Sequence, residues 1–174
     1  MEKGTEMPAF ELNDMNGRPV KSTDLLSRRH LLVVFTCNHC PYAVAAWPLL
    51  VDLQNRYADQ GLQIVAINPN NNPDYPDDSF DKMKPFAEKN NINFPYLFDE
   101  DQSVARAFGA VCTPDPFLFL DGRLSYHGRI NDNWKEPQKV SEKSLEQALL
   151  RDMEKGEGPA SELPSMGCSI KWVA

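Results

Sequence analysis

The sequence predicts an α/β fold: a mixed central sheet flanked by helices, opened by an N-terminal hairpin and closed by a C-terminal tail. Three observations carry this expectation. Residues 31–35 and 62–68 are short apolar runs rich in β-branched side chains, the composition of buried parallel strands. After each run, apolar residues recur at helical spacing, so helical crossovers join the strands. Asp121-Gly122 is the strongest hairpin signal in the chain, so the sheet ends antiparallel. At 174 residues the chain reads as one domain, 1–174, with 1–30 an N-terminal extension and 156–174 a docked tail.

Each element has a local reason. Phe10 and Leu12 alternate with polar neighbours, Asp14-Met-Asn-Gly17 turns the chain, and residues 18–20 return as an edge strand, since Pro19 has no N–H for a ladder. Ser22-Thr23-Asp24 offers a helix cap ahead of Leu25 and Leu26. From Pro41, helical spacing runs through Tyr42, Ala46, Leu49, Leu50, Leu53 and Tyr57 to about Ala58 or Asp59. Pro48 is expected to kink that helix, and Gly61 closes the connection. Strand 62–68 leads into a loop, 68–78, that reads as too polar and too proline-rich for a core element. Asp78 or Ser79 caps a helix through Phe80, Met83, Phe86 and Ala87, with Pro85 just inside the cap. A short strand at 94–98 and a short helix at 101–108 follow, the latter stopped by Gly109. A loop enters a strand at Phe117, and the hairpin returns over 124–130. Residues 140–155 form an amphipathic helix with Leu145, Ala148, Leu149 and Met153 on one face and Gly156 as its stop. The tail is rich in Gly and Pro but ends in Ile170, Trp172 and Val173, so it is expected to dock.

Composition excludes several function classes. The hydrophobic fraction of 41% and charged fraction of 25% are those of a soluble globular protein. Net charge is -7, and no basic cluster exceeds Arg28-Arg29-His30, which argues against a nucleic-acid partner. Met1-Glu-Lys-Gly-Thr-Glu lacks an apolar core, so neither a signal peptide nor a membrane span is expected, and the expected location is cytoplasmic. Four cysteines in a reducing compartment point to catalysis before structural disulfides.

Function concentrates at Thr36-Cys-Asn-His-Cys-Pro41, a C-x-x-C between a strand and a helix. A helix start carries unsatisfied N–H groups and the positive end of the peptide dipoles, which stabilise a thiolate, the nucleophile of disulfide exchange. Pro41 fits the first turn, where its missing N–H has no partner to lose. If Pro41 is the first helical residue, Cys40 sits at the cap and has the lower pKa. A His39 imidazolium would favour a thiolate further and set the couple above about -270 mV. The same residues could ligate zinc, with Cys112, His127 or Cys168 completing a tetrahedron, but no second matched pair exists. Haem attachment needs a His where Pro41 stands. The expectation is redox chemistry at Cys37 and Cys40, with no metal or organic cofactor.

Together with Tyr75-Pro-Asp-Asp-Ser-Phe80, Val111-Cys-Thr-Pro-Asp115, Gly128-Arg-Ile-Asn-Asp132 and Met166-Gly-Cys-Ser-Ile-Lys-Trp172, the motif resembles the thioredoxin superfamily, most closely its peroxiredoxin-like, redoxin-type (AhpC/TSA-related) branch. The resemblance implies a thioredoxin-like fold and thiol-disulfide exchange, with Cys37 the exposed attacker and Cys40 resolving. It also implies a cis Thr113–Pro114 bond facing the site, with Thr36, His39, Pro41, Thr113 and Pro114 tuning it. The implied partners are a disulfide-containing protein or small molecule and a thiol reductant. Cys40-Pro41 also resembles a peroxidatic Cys-Pro, which makes a thiol peroxidase the alternative; a non-enzymatic zinc- or partner-binding module is the second. Three departures stand out. The buried carboxylate that thioredoxins carry in the central strand has no counterpart among Leu31 to Phe35. The peroxiredoxin threonine position holds Cys37, and no arginine stands near Asp115. Cys112 and Cys168 are accessory thiols, read as buried packing, as a redox-linked pair, or as metal ligands.

Overall fold

The computed structural model describes residues 1–173. Its centre is β3 (His30–Phe35), where every residue is buried. β3 runs parallel to β4 (Leu62–Asn68) and antiparallel to β7 (Asp115–Leu120), with Val33 between Val65 and Phe117. Strand alternation sends Leu32 and Val34 to one face and Leu31, Val33 and Phe35 to the other. The first face packs under α2 (Pro41–Tyr57), α3 (Phe80–Lys89) and α5 (Ser144–Lys155). The second packs under α4 (Ser103–Phe108) together with Met7, Phe10 and Leu25. A strand covered on both faces favours apolar side chains throughout, which explains the run Leu31–Phe35 after His30.

The sheet is completed by β1 (Glu11–Asp14), β2 (Pro19–Lys21), β5 (Tyr96–Phe98) and β8 (Arg123–His127), in the order β2-β1-β5-β4-β3-β7-β8. Pro19 lies on the edge strand, as its chemistry requires. The β7–β8 hairpin turns on Asp121 and Gly122, both at positive φ (49° and 81°). Paired positive φ values match the twist of the strands they join.

Several boundaries differ from the sequence reading, each for a tertiary reason. Ser22 caps nothing: the helical turn α1 (Ser22–Leu25) begins at Ser22 itself, and its Oγ accepts the Phe10 N–H at 2.9 Å. Helix α4 is capped instead by buried Asp99, which accepts the N–H groups of Val104 and Ala105 at 3.2 and 2.8 Å. Pro85 lies in the middle of α3, not just inside its cap. Strand β7 starts two residues before Phe117, because the β3 ladder extends to Phe35 opposite Asp115. Strand β8 stops at His127. A Cβ on Gly128 would meet Leu163 O at 2.5 Å, so the crossing chain there admits only glycine. Helix α5 begins at Ser144, after a 3-10 turn at Pro137–Lys139.

The segment after α5 returns across the sheet end. Leu163 O accepts the Arg129 N–H at 3.0 Å, and Ser165 Oγ donates to Asp115 Oδ1 at 2.6 Å. Then β9 (Cys168–Ser169) pairs antiparallel with β6 (Cys112–Thr113), placing Cys112 opposite Ser169 and Thr113 opposite Cys168. Ile170 is buried, and the Arg106 guanidinium lies 4.7 Å over the Trp172 ring. Cys112 and Cys168 are both free thiols, so no disulfide ties the tail to β6.

One buried acid gives the fold a pH response. Asp152 on α5 accepts the Ser125 hydroxyl at 2.7 Å, and burial pushes its carboxyl up to about 6. A carboxyl raised in the fold stabilises it fully below the unfolded value of 3.8, and that contribution is lost as pH rises through about 6. Asp152→Asn keeps the shape and a partner for Ser125. The stability of the variant relative to wild type is expected to climb between about pH 4 and 7 in urea titrations. A pH-independent difference would contradict it.

Candidate active site

The site forms where β3 meets α2. The Thr36 N–H still pairs with Ile67 O at 2.9 Å, while its buried hydroxyl has no hydrogen-bond partner. The chain then loops through Cys37, Asn38 and His39. Cys40 is the N-cap of α2 and Pro41 its first residue. This is the arrangement that places the second sulfur, not the first, at the helix mouth. Cys37 is also not exposed: both Cys37 and Cys40 are 0% exposed. Cys37 is held from below, where the Trp47 indole N–H donates to Cys37 O at 3.1 Å.

What holds the loop is Asp78, a fully buried carboxylate that sequence reasoning assigned only a capping role. Its Oδ1 accepts the N–H groups of Asn38 (2.8 Å) and His39 (3.1 Å), and its Oδ2 accepts Asn70 Nδ2 (2.9 Å). Oδ2 also bonds His39 Nδ1. Asn38 is fixed further by the Tyr96 hydroxyl, which donates to Asn38 Oδ1 at 2.7 Å. A loop expected to be too polar for the interior is therefore buried at Asn68, Asn70 and Asp78, because each polar atom there is matched. Asp78 also supplies, from a different element, a buried carboxylate that β3 lacks. The signal available was the Tyr75-Pro-Asp-Asp-Ser-Phe80 segment, which carried the resemblance but had no assigned role.

The opposite wall is the cis Thr113–Pro114 bond. Thr113 Oγ1 lies 3.4 Å from Cys37 Sγ, and the Cys40 thiol reaches Thr113 O at the same distance. Cys168 packs on the pair from the tail. Cys112 does not join them: its thiol is directed to Pro114 O at 3.7 Å, and burial pushes it up to about 12.

The two central sulfurs are strongly differentiated. The Cys40 thiolate is favoured by the Cys37 thiol donating to it, then by the Cys168 thiol and by backbone N–H groups of Ala43 and Cys168, which together outweigh burial. Cys37 is driven the other way, first by that same hydrogen bond, which keeps its proton in place, then by burial and the Asp78 charge. The first proton to leave this cluster comes from Cys40. His39 does not act as an isolated cation beside the sulfurs, since its ring is paired with Asp78.

Among the described residues, none of Cys112, His127 and Cys168 converges with Cys37 and His39 as a ligand group. His127 is bonded through Nε2 to Asp115 at 2.6 Å and stacks on Phe117. The metal-capable donors that converge among the described residues are Cys37, His39 and Asp78, within 4.8 Å of one another, and Asp78 is already committed to N–H donors. Beside Pro114, an apolar groove is lined by Tyr42, Leu49, Trp134 and Met166, with the Tyr42 and Trp134 rings 4.0 Å apart.

Residues 3–128 match the AhpC/TSA family. The chain belongs to the AhpC/TSA family. It is 23% identical over 125 residues to the thiol-disulfide oxidoreductase ResA of Bacillus thuringiensis subsp. konkukian (strain 97-27), covering 71% of this chain and 68% of that protein. Chloroplastic peroxiredoxin Q of Sedum lineare is 27% identical over 124 residues, 71% of this chain and 61% of that one. An uncharacterized conserved protein from Geobacillus kaustophilus superposes with a TM-score of 0.91 at 39% identity, covering 99% and 93% of the two chains. The fold of this AhpC/TSA member is thioredoxin-like.

Proposed function

We propose that this AhpC/TSA member is a thiol-disulfide oxidoreductase in which Cys40 attacks a substrate disulfide and Cys37 resolves the product. The observation that carries this reading is the place of Cys40 as the N-cap of α2, packed against Cys37 and Cys168, where the helix start and the neighbouring thiols favour its thiolate. A sulfur so placed has its pKa lowered, and the thiolate is the attacking form. Attack forms a Cys40–substrate disulfide and releases one substrate sulfur as a thiolate, which takes up a proton. Cys37 then gives up its proton and attacks Cys40 Sγ, forming Cys37–Cys40 and releasing the second substrate thiol. The His39–Asp78 pair, whose ring nitrogen and carboxylate lie within 4.8 Å of the Cys37 sulfur, is placed to receive that proton. A thiol reductant restores the dithiol. A reducing compartment such as the cytosol is part of this reading, since the dithiol is regenerated by a thiol reductant.

Site-resolved alkylation tests the assignment. With iodoacetamide and peptide mapping across pH, Cys40 is expected to react with a midpoint well below the ordinary thiol value of 9, and Cys37 only above it. The reverse order overturns the assignment. A second reading, peroxide reduction at Cys40, is favoured by the same thiolate and by the likeness to peroxiredoxin Q. The arginine nearest the groove, Arg129, is engaged by Ser144 and Glu142. Stopped-flow mixing with hydrogen peroxide is therefore expected to show only slow consumption; a fast second-order reaction would put the peroxidase first.

A further inference from the structure

We infer that Cys168 is a third redox thiol, placed by the tail to take over the Cys40 disulfide from Cys37. The inference rests on the reading above, that Cys40 holds the mixed disulfide. Its basis is the way one residue, Thr113, positions both partners. Thr113 O receives the Cys40 thiol at 3.4 Å, and Thr113 is the residue opposite Cys168 in the β6–β9 pairing. The approach is built for closeness: a Cβ on Gly167 would lie 2.2 Å from Thr113 O, so only glycine lets the tail pass there.

The tail is fixed on both sides of this point. Before it, Ser165 Oγ donates to buried Asp115 at 2.6 Å. After it, Ile170 is buried, and the Lys171 N–H donates to Asn70 Oδ1 at 3.1 Å. Asn70 is the residue whose amide also donates to Asp78, so the strap is wired into the network that holds the Cys37–Cys40 loop. Cys40 is thus flanked by two thiols, Cys37 and Cys168, both packed in the same cluster with it. The two neighbours are not equivalent. Cys37 is sealed in the interior, whereas Cys168 is only partly buried and lies on the outer strand of the strap. Cys112, the other candidate, faces Pro114 O and not the sulfurs.

The chemistry balances without an added oxidant. Starting from Cys37–Cys40, the Cys168 thiolate attacks Cys40 Sγ. The Cys40–Cys168 bond forms as the Cys37–Cys40 bond breaks, and Cys37 leaves as a thiolate that takes the proton given up by Cys168. No net oxidation occurs; the disulfide moves outward to a sulfur that a reductant can reach. The same attack on a mixed disulfide at Cys40 expels the substrate thiol.

That last step is the measurable one. Cys37→Ser is treated with oxidised glutathione, and the Cys40 adduct is followed by mass spectrometry beside Cys37→Ser/Cys168→Ser and a Cys37→Ser/Cys112→Ser control. In Cys37→Ser and in the control, the adduct is expected to fall roughly tenfold or more below its level in the double variant lacking Cys168, as expected for an intramolecular thiol. It should be replaced by a Cys40–Cys168 disulfide in peptide maps. Equal, persistent adducts with and without Cys168 would overturn the relay while leaving attack by Cys40 intact. No adduct at Cys40 in any variant would overturn both. Circular dichroism of each variant identifies any that has failed to fold, and in that event the wild type decides: oxidised with one equivalent of glutathione disulfide, it must yield the Cys40–Cys168 peptide or the relay is wrong.

Discussion

Cys40→Ser is expected to reduce disulfide exchange by roughly a thousandfold or more, to a level set by uncatalysed exchange with the reductant. Cys37→Ser should behave differently, keeping the attacking step and losing turnover. The asymmetry follows from the site. All the donors that stabilise negative sulfur converge on Cys40, and the serine that replaces Cys37 still offers an O–H where the Cys37 S–H stood. Removing Cys40 removes the sulfur itself, and its neighbours cannot substitute. Burial, which the substitution leaves in place, raises both Cys112 and Cys168 above the ordinary thiol value. Insulin reduction monitored by turbidity separates the two variants in overall rate. A single-turnover experiment with a chromogenic disulfide separates them in kind: Cys37→Ser should release one leaving group in a burst and Cys40→Ser none. If Cys40→Ser gives the burst and Cys37→Ser does not, the roles assigned here are inverted.

Much of this arrangement is legible before any coordinates, and the parts that are not share a cause. Strand Leu62–Asn68 reads to the residue because its apolar run is bounded by Gly61 and Pro69. The Asp121-Gly122 turn and the Gly109 and Gly156 helix stops read equally well, since positive φ is a local demand that few residues meet. The start of α5 does not read, because residues 140–143 continue into the helical pattern and only the crossing near Asp132 diverts them: the Ser141 N–H is drawn to Asp132 Oδ1 at 3.0 Å. Of the site, the Cys37–Cys40 spacing and the Pro41 helix start are local and visible. Asp78 is not. It stands 39 residues after His39 in a loop whose composition argues for solvent. Its burial depends on partners from two separate segments, 38–39 and 68–70, and no periodicity encodes such a meeting. The position of Cys168 is hidden for the same reason, because a two-residue strand carries no pattern of its own.

Asp78 is therefore the residue at which substitution should reveal most beyond the sulfurs. Asp78→Ala would leave the partly buried N–H groups of Asn38 and His39 and the buried Asn70 amide without that acceptor. At about 1–3 kcal/mol for each unsatisfied group, the expected loss of stability is on the order of 3–5 kcal/mol after partial relaxation. That is a large part of a typical domain's total. Asp78→Asn isolates the charge. Its Oδ1 can still accept from Asn38 and His39, while its amide opposes the Asn70 amide, so a smaller loss of roughly 1–3 kcal/mol is expected. The more telling readout is at Cys37. The Asp78 carboxylate is one of the groups that disfavour a Cys37 thiolate, so neutralising it should move Cys37 alkylation to lower pH. The same change removes the partner of the His39 ring, through which the Cys37 proton is proposed to leave. Cys37 in Asp78→Asn should thus be a better thiolate but a slower resolver at a fixed degree of ionisation. Mixed-disulfide decay measured against pH distinguishes the two effects: its midpoint should shift to lower pH while its plateau falls. A variant whose plateau is unchanged would show that Asp78 holds the loop and raises Cys37 but carries no proton.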